Sequence, residues 1–288
     1  MSKSYSYLGK LQKKKLLVKT KKRGLHAGSR QSARFGSSLE FSDFRAYQLG
    51  DDVRQIDWNV YGRTQKHYIK RFLDEQELSI SIYLDGTASM QKAEKKWEMA
   101  RELAAALSYT VLSSDDRLYF AAISGEYIQP VKKRGAIYSR KVFLDILHLQ
   151  AQGVSGEFWT ALPKVISKRE QLSVLISDGL EPLSVMEEVF QQLAALKQEF
   201  WLLQVLSSEE LFPDYSGDLK LLDAENGTVV NVSMNSAILT EYKTRIREHN
   251  TELESLCKKY GGHYLLAADD RDLQAILFTD LPAKGLMR

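Results

Sequence analysis

Asp85-Gly86-Thr87-Ala88-Ser89 places one carboxylate and two hydroxyls at alternate positions, directly after the apolar run LSISIYL at 78–84. A loop turning there can aim all three oxygens at one point. Three hard oxygen donors carrying one negative charge suit Mg²⁺, or Mn²⁺ in its place, because such ions take octahedral oxygen sites and keep several waters. A second carboxylate, Asp178, follows another apolar run, LSVLIS at 172–177, and precedes Gly179. It is placed to approach the same point, directly or through water. The competing reading is that Asp85 and Ser89 only cap the helix after the loop. An Asp-x-Thr-x-Ser pattern alone is common. Its position after a buried strand, with a second strand-end Asp-Gly further on, gives it weight.

The elements that must position these groups are legible in the hydropathy pattern. The runs at 78–84, 117–124, 172–177 and 199–206 read as buried strands, with YIQPV (127–131) pairing beside the second. Trp97, Ala100, Ala104, Leu107 and Val111 fall on one helical face. Helices are also expected over 141–149, 160–167, 185–197, about 237–259 and near 271–278, with short strands at 219–223, 228–232 and 263–267. Strands alternating with helices imply crossovers, hence an α/β, doubly wound, mostly parallel sheet covered on both faces. In such sheets ligands bind beyond the carboxyl ends of the strands, where Asp85 and Asp178 fall.

Upstream, Phe35 to Arg63 reads FGSSLEFSDFRAYQLGDDVRQIDWNVYGR. It sets Asp51, Asp52 and Asp57 among Arg45, Arg54 and Arg63, with Tyr47, Trp58 and Tyr61 between them. Adjacent aspartates can hold metals for phosphoryl chemistry. Arginines so close compete with a cation for those carboxylates, which favours a network of ion pairs and hydrogen bonds that fixes an irregular loop. A docking surface is a third reading, since Arg, Tyr and Trp are enriched in interface hot spots.

These residues carry a family resemblance. Asp85-x-Thr87-x-Ser89 resembles the metal-ion-dependent adhesion site of von Willebrand factor A-type (vWA) domains, which begins Asp-x-Ser-x-Ser. Ser177-Asp178-Gly179 is similar to its third loop. The second loop of such sites supplies a threonine. Alignment on Ala161-Leu162 puts Gly156 there, with Ser155 or Glu157 as the substitutes, neither in register. Glu40, Phe41, Arg45, Tyr47, Gly50, Asp51, Asp52, Arg54, Ile56, Asp57, Trp58 and Arg63 are similar to the hallmark of the bacterial DUF58 family. The resemblance runs from about Gly24 onward and divides the chain into a basic segment (1–23), a hallmark segment of short strands and loops packed on the main domain (24–76), and a vWA-like domain (77–288). It implies a non-catalytic, Mg²⁺- or Mn²⁺-assisted protein-binding module. Asp85, Thr87 and Ser89 would hold the ion, Asp178 would ligate it or orient a water, and the loop at Ser155 would shape the opening. An open coordination position would take an acidic side chain of the partner. The family's association with MoxR-type AAA+ ATPases implies an accessory role in complex assembly or chaperone-like work.

Composition narrows the alternatives. In 288 residues there are five prolines, which leave no long proline-rich linker, and one cysteine, Cys257, which allows no internal disulfide and fits a reducing compartment. The five histidines never pair at ligand spacing. No phosphate loop, dinucleotide fingerprint or nucleophile elbow occurs. No apolar run approaches the roughly 18 residues of a membrane span, and the first residues lack the apolar core of a secretory signal, so a cytoplasmic protein is expected. Lys10, Lys13, Lys14, Lys15, Lys19, Lys21, Lys22 and Arg23 form a basic run interleaved with Leu11, Leu16, Leu17 and Val18. A docked, solvated segment is the leading reading. An adaptor for nucleic acid or a membrane surface is the alternative, and no aromatic platform for single strands accompanies it. A metal-dependent phosphoester hydrolase built on Asp51, Asp52 and Asp57, or on the Asp85 site, is the enzymatic alternative, and it lacks a recognisable general base.

Overall fold

The computed structural model describes residues 6–19, 27–125, 127–150, 157–215, 217–222 and 228–288. The chain forms two compact units, Arg23–Leu78 and the combination of Met1–Lys22 with Ser79–Arg288.

In the smaller unit, β1 (Ala27–Ala46) and β2 (Tyr68–Gln76) pair antiparallel. β1 is longer than the short strands expected from sequence. Its pairing is interrupted by four register shifts, so no continuous period-2 pattern announces it. Between the strands lie a 3₁₀ turn, Val53–Gln55, and a helix, Trp58–Thr64. Asp57 caps that helix by accepting from the amides of Asn59 (2.9 Å) and Val60 (3.2 Å). Gln65 ends it in the left-handed region (φ 54°).

The larger unit is built on a six-stranded sheet. Its strands are β3 (Ser79–Asp85), β4 (Arg117–Ser124), β5 (Tyr127–Arg134), β6 (Leu172–Ser177), β7 (Glu199–Leu206) and β10 (His263–Ala268). A separate antiparallel ribbon holds β8 (Gly217–Leu222) and β9 (Val229–Met234). The sheet order is β10-β7-β6-β3-β4-β5, parallel throughout except for β5. β5 lies at an edge, where Pro130, without an amide hydrogen, is tolerated. β6 and β7 are buried along their whole length, the pattern of parallel strands covered on both faces.

The helix Glu94–Ser113 returns β3 to β4, with Trp97, Ala100, Ala104, Leu107 and Val111 all buried. After β5 the chain crosses back to lay β6 on the other side of β3. The β3–β6 boundary is therefore the topological switch point, where the carboxyl ends of two strands leave a crevice. The helices Ser139–Leu147, Leu183–Ala195 and Ser236–Lys259 lie at the expected places. The segment 160–167 is less helical than its periodicity suggests. It comprises Phe158–Ala161 and a 3₁₀ turn, Leu162–Lys164, because Pro163 cannot donate to a continuing helix. The last helical stretch runs beyond 278, as Leu273–Ala275, a π-helical Ile276–Asp280, and Leu281–Ala283.

The described part of the N-terminal segment is docked. Leu11 and Leu16 are fully buried, and backbone hydrogen bonds join Lys15 to Arg288 and Leu17 to Leu286. Among the described residues, no helix is long and apolar enough to cross a membrane.

Candidate metal site at the switch point

Parallel pairing of β3 with β6 sets Leu84 opposite Ile176, so Asp85 and Ser177 end the two strands side by side. The Ser177 hydroxyl donates to Asp85 Oδ2 at 2.6 Å. Thr87 donates twice to Asp85 Oδ1, from its hydroxyl at 2.6 Å and its amide at 3.0 Å. The Thr87 and Ser89 hydroxyl oxygens lie 3.1 Å apart. With Thr87's proton on Asp85, the proton of that contact comes from Ser89. The loop thus forms a relay of inward-donating hydroxyls behind which Asp85 is buried, while Ser89 stands at the half-buried rim.

Gly86 permits this turn. A Cβ there would lie 2.7 Å from Ser124 Oγ, which donates to the Gly86 carbonyl. Gly179, at φ +60°, makes the corresponding turn after β6. Its amide donates to Ser177 Oγ at 3.1 Å.

Among the described residues, none of Asp85's hydrogen-bond partners is cationic. Burial first, then the neighbouring Asp178 carboxylate, raise its pKa to about 7, against the lowering effect of the Ser177 and Thr87 hydrogen bonds. An uncompensated buried carboxylate is stabilised by a cation, and the Thr87 and Ser89 hydroxyls retain lone pairs while donating inward. Asp85, Thr87 and Ser89 therefore fit a hard divalent ion. Asp178 is differently engaged. Its Oδ2 lies 3.0 Å from Nζ of Lys96, a fully buried lysine on the helix Glu94–Ser113. Lys96 also reaches Glu210 Oε1 at 2.8 Å and the Ser89 carbonyl at 3.4 Å. Burial pulls the Lys96 pKa down, but Asp178 and Glu210 outweigh it and hold the ammonium above its ordinary value. Ser155 lies outside the described residues.

Asp85, Thr87, Ser89 and Asp178 fall at one strand edge, as the sequence predicts, and Lys96, Ser177 and Glu210 join them as partners that its pattern does not announce. Two signals point to Lys96 and Glu210. Lys96 precedes Ala100 by four residues on the buried helix face, where a charge needs a partner. Ser207-Ser208-Glu209-Glu210 is a capping-box sequence, and the structure forms both of its reciprocal bonds. A cavity of about 420 Å³ beyond the end of β4 is lined by Gly125, Ile128, Glu157, Thr160, Ala161 and Lys164.

The hallmark aspartates are held by local groups. Asp51 pairs with Arg45 at 2.8 Å, Asp52 with Arg54 at 2.7 Å, and Asp57 serves as the helix cap. Arg54's hydrogen bonds to Asp52 lower that carboxyl's pKa to about 2. Tyr61 and His67 stack at 4.5 Å, with Trp58 (5.9 Å from Tyr61) and Tyr47 (6.3 Å from His67) around them. Trp58 is 60% exposed, and Arg63 is exposed.

Strand order, switch point and strand-end carboxylates define a vWA-like α/β fold. The chain belongs to the DUF58 family: the family model described as "Protein of unknown function DUF58" matches residues 43–252. Among curated relatives, the uncharacterized protein Rv1480 of Mycobacterium tuberculosis is 27% identical over 266 residues, covering 89% of this chain and 83% of the relative. The uncharacterized protein Mb1516 of Mycobacterium bovis gives the same values, 27% over 266 residues with 89% and 83% coverage. Similar solved structures include the conserved hypothetical protein BatB from Bacteroides thetaiotaomicron, at 19% identity, 72% of this chain, 98% of that chain and TM-score 0.39. The vWA domain of SpRpn10 is another, at 10% identity, 72% and 96% coverage and TM-score 0.39.

Proposed function

We propose that this protein is a non-catalytic binding module in which Mg²⁺ or Mn²⁺, held by Asp85, Thr87 and Ser89, presents an open position to an acidic side chain of a protein partner. The observation that carries this reading is the buried Asp85 carboxylate, 2% exposed, whose hydrogen bonds among the described residues come from neutral hydroxyl and amide donors. The same cluster holds three carboxylates (Asp85, Asp178, Glu210) against one ammonium, Lys96. A divalent ion would offset the remaining negative charge. When bound, it would supply Lewis acidity toward an incoming carboxylate. The protein's own part is to orient the Thr87 and Ser89 hydroxyls and to hold Asp85 behind them.

The partner we propose is a MoxR-type AAA+ ATPase, on family association, with this chain as its accessory in complex assembly. The test is equilibrium binding of such an ATPase to the full chain, in Mg²⁺ and in chelator, with Asp85→Ala alongside. The reading predicts a loss of about tenfold or more in chelator and in the variant. Binding indifferent to both changes would contradict it.

A further inference from the structure

Lys96 is buried completely, and its ammonium sits 3.0 Å from Asp178 Oδ2 and 2.8 Å from Glu210 Oε1. Asp178 is the carboxylate that the vWA resemblance assigns to the ion. Glu210 is fixed independently, since its other carboxylate oxygen, Oε2, accepts from the Ser207 amide at 2.7 Å and closes the capping box. Asp178 is fixed as well: its carbonyl accepts from Gln204 at 2.8 Å, and Gln204 is anchored by Asn250 at 3.0 Å. The Glu210 carboxylate and the Asp178 backbone are thus held in place around a cation carried by the protein itself. Taking the lysine away would leave buried charge uncompensated, so the ammonium is an integral part of the cluster.

We infer that Lys96 is a resident cation that removes Asp178 from the ion's ligand set, leaving Asp85, Thr87 and Ser89 to hold the metal and keeping divalent affinity low. The inference rests on the ion reading above and adds to it a determinant of affinity. A second positive charge beside the ion repels it. An aspartate engaged by an ammonium also gives up that contact before it can ligate a metal. Where Lys96 is neutralised, Asp178 becomes available as a further hard oxygen donor, and the site gains the second carboxylate that its sequence suggests.

The experiment is calorimetric titration of Mn²⁺ and Mg²⁺ into the full chain as wild type, Lys96→Met, and the charge-balanced pair Lys96→Met/Asp178→Asn. Lys96→Met is expected to bind about tenfold tighter than wild type or more, and the double variant to return to within about threefold of wild type. Unchanged or weaker binding in Lys96→Met overturns the inference. So does a double variant about tenfold weaker than wild type, since that would make Asp178 a ligand in the native protein. If Lys96→Met does not fold in chelator, thermal unfolding with Mn²⁺ decides: recovery of a cooperative transition supports the inference, and no recovery counts against it. A wild type that binds no ion beside a Lys96→Met that does would sink the ion-assisted function and support the role given to Lys96.

Discussion

The Ser177 hydroxyl donates to Asp85 Oδ2 at 2.6 Å, tying together the ends of two strands 92 residues apart in sequence. The bond exists because the chain reverses its direction of sheet growth between β3 and β6. Ser177 also accepts the Gly179 amide at 3.1 Å, so one hydroxyl supports both loops of the site. Ser177→Ala leaves that amide and one Asp85 oxygen each short of a partner. The expected cost is about 1–3 kcal/mol in urea unfolding. A change below about 0.5 kcal/mol, the range of ordinary surface substitutions, would show that the bond does not matter to the fold.

Asp85 gives the metal-free protein a defined pH dependence. Burial and the Asp178 carboxylate raise its folded-state pKa to about 7, against about 3.9 for an unfolded aspartate. The folded state therefore binds the proton more tightly. This contribution to stability is complete below about pH 4 and is lost as pH rises through about 7. In chelator, the stability difference between wild type and Asp85→Asn should shift against wild type as pH rises from about 4 to about 7, the interval between the two pKa values. Parallel profiles for the two proteins would contradict the assignment. Ion binding below pH 7 should release protons for the same reason.

Cys257 is fully buried on the helix Ser236–Lys259, and burial pushes its thiol up to about 12. The thiolate is the reactive form. A thiol reagent at neutral pH should leave the native protein unlabelled and react promptly once denaturant is added. Prompt native labelling would mean that this helix opens readily from the sheet.

Trp58 is 60% exposed, while Trp97, Trp159 and Trp201 are 6%, 0% and 0% exposed. Acrylamide should quench one fluorescence component, and Trp58→Phe should abolish it. A component that survives in Trp58→Phe would place another tryptophan at the surface.

The strands were legible because β6 and β7 are buried on both faces and read as largely apolar runs. Asp85 and Asp178 were legible because a carboxylate ending such a run marks the ligand edge of an open sheet. Lys96 was not, since a lysine in a helix normally reads as solvated and its partners lie 82 and 114 residues away, in the loop after β6 and in the short helix Ser208–Leu211. Ser177 belongs to an apolar run, and its role depends on β6 lying beside β3, a long-range fact that local periodicity does not carry. The extent of β1 was hidden by its register shifts.

The decisive measurement for the ion site is calorimetric titration of Mg²⁺ and Mn²⁺ into the purified protein, with Asp85→Ala as the control. Wild type should bind saturably, and weakly because Lys96 holds Asp178, and Asp85→Ala should lose that binding. Equal binding by both proteins, or none at millimolar ion, would contradict an ion site on Asp85, Thr87 and Ser89.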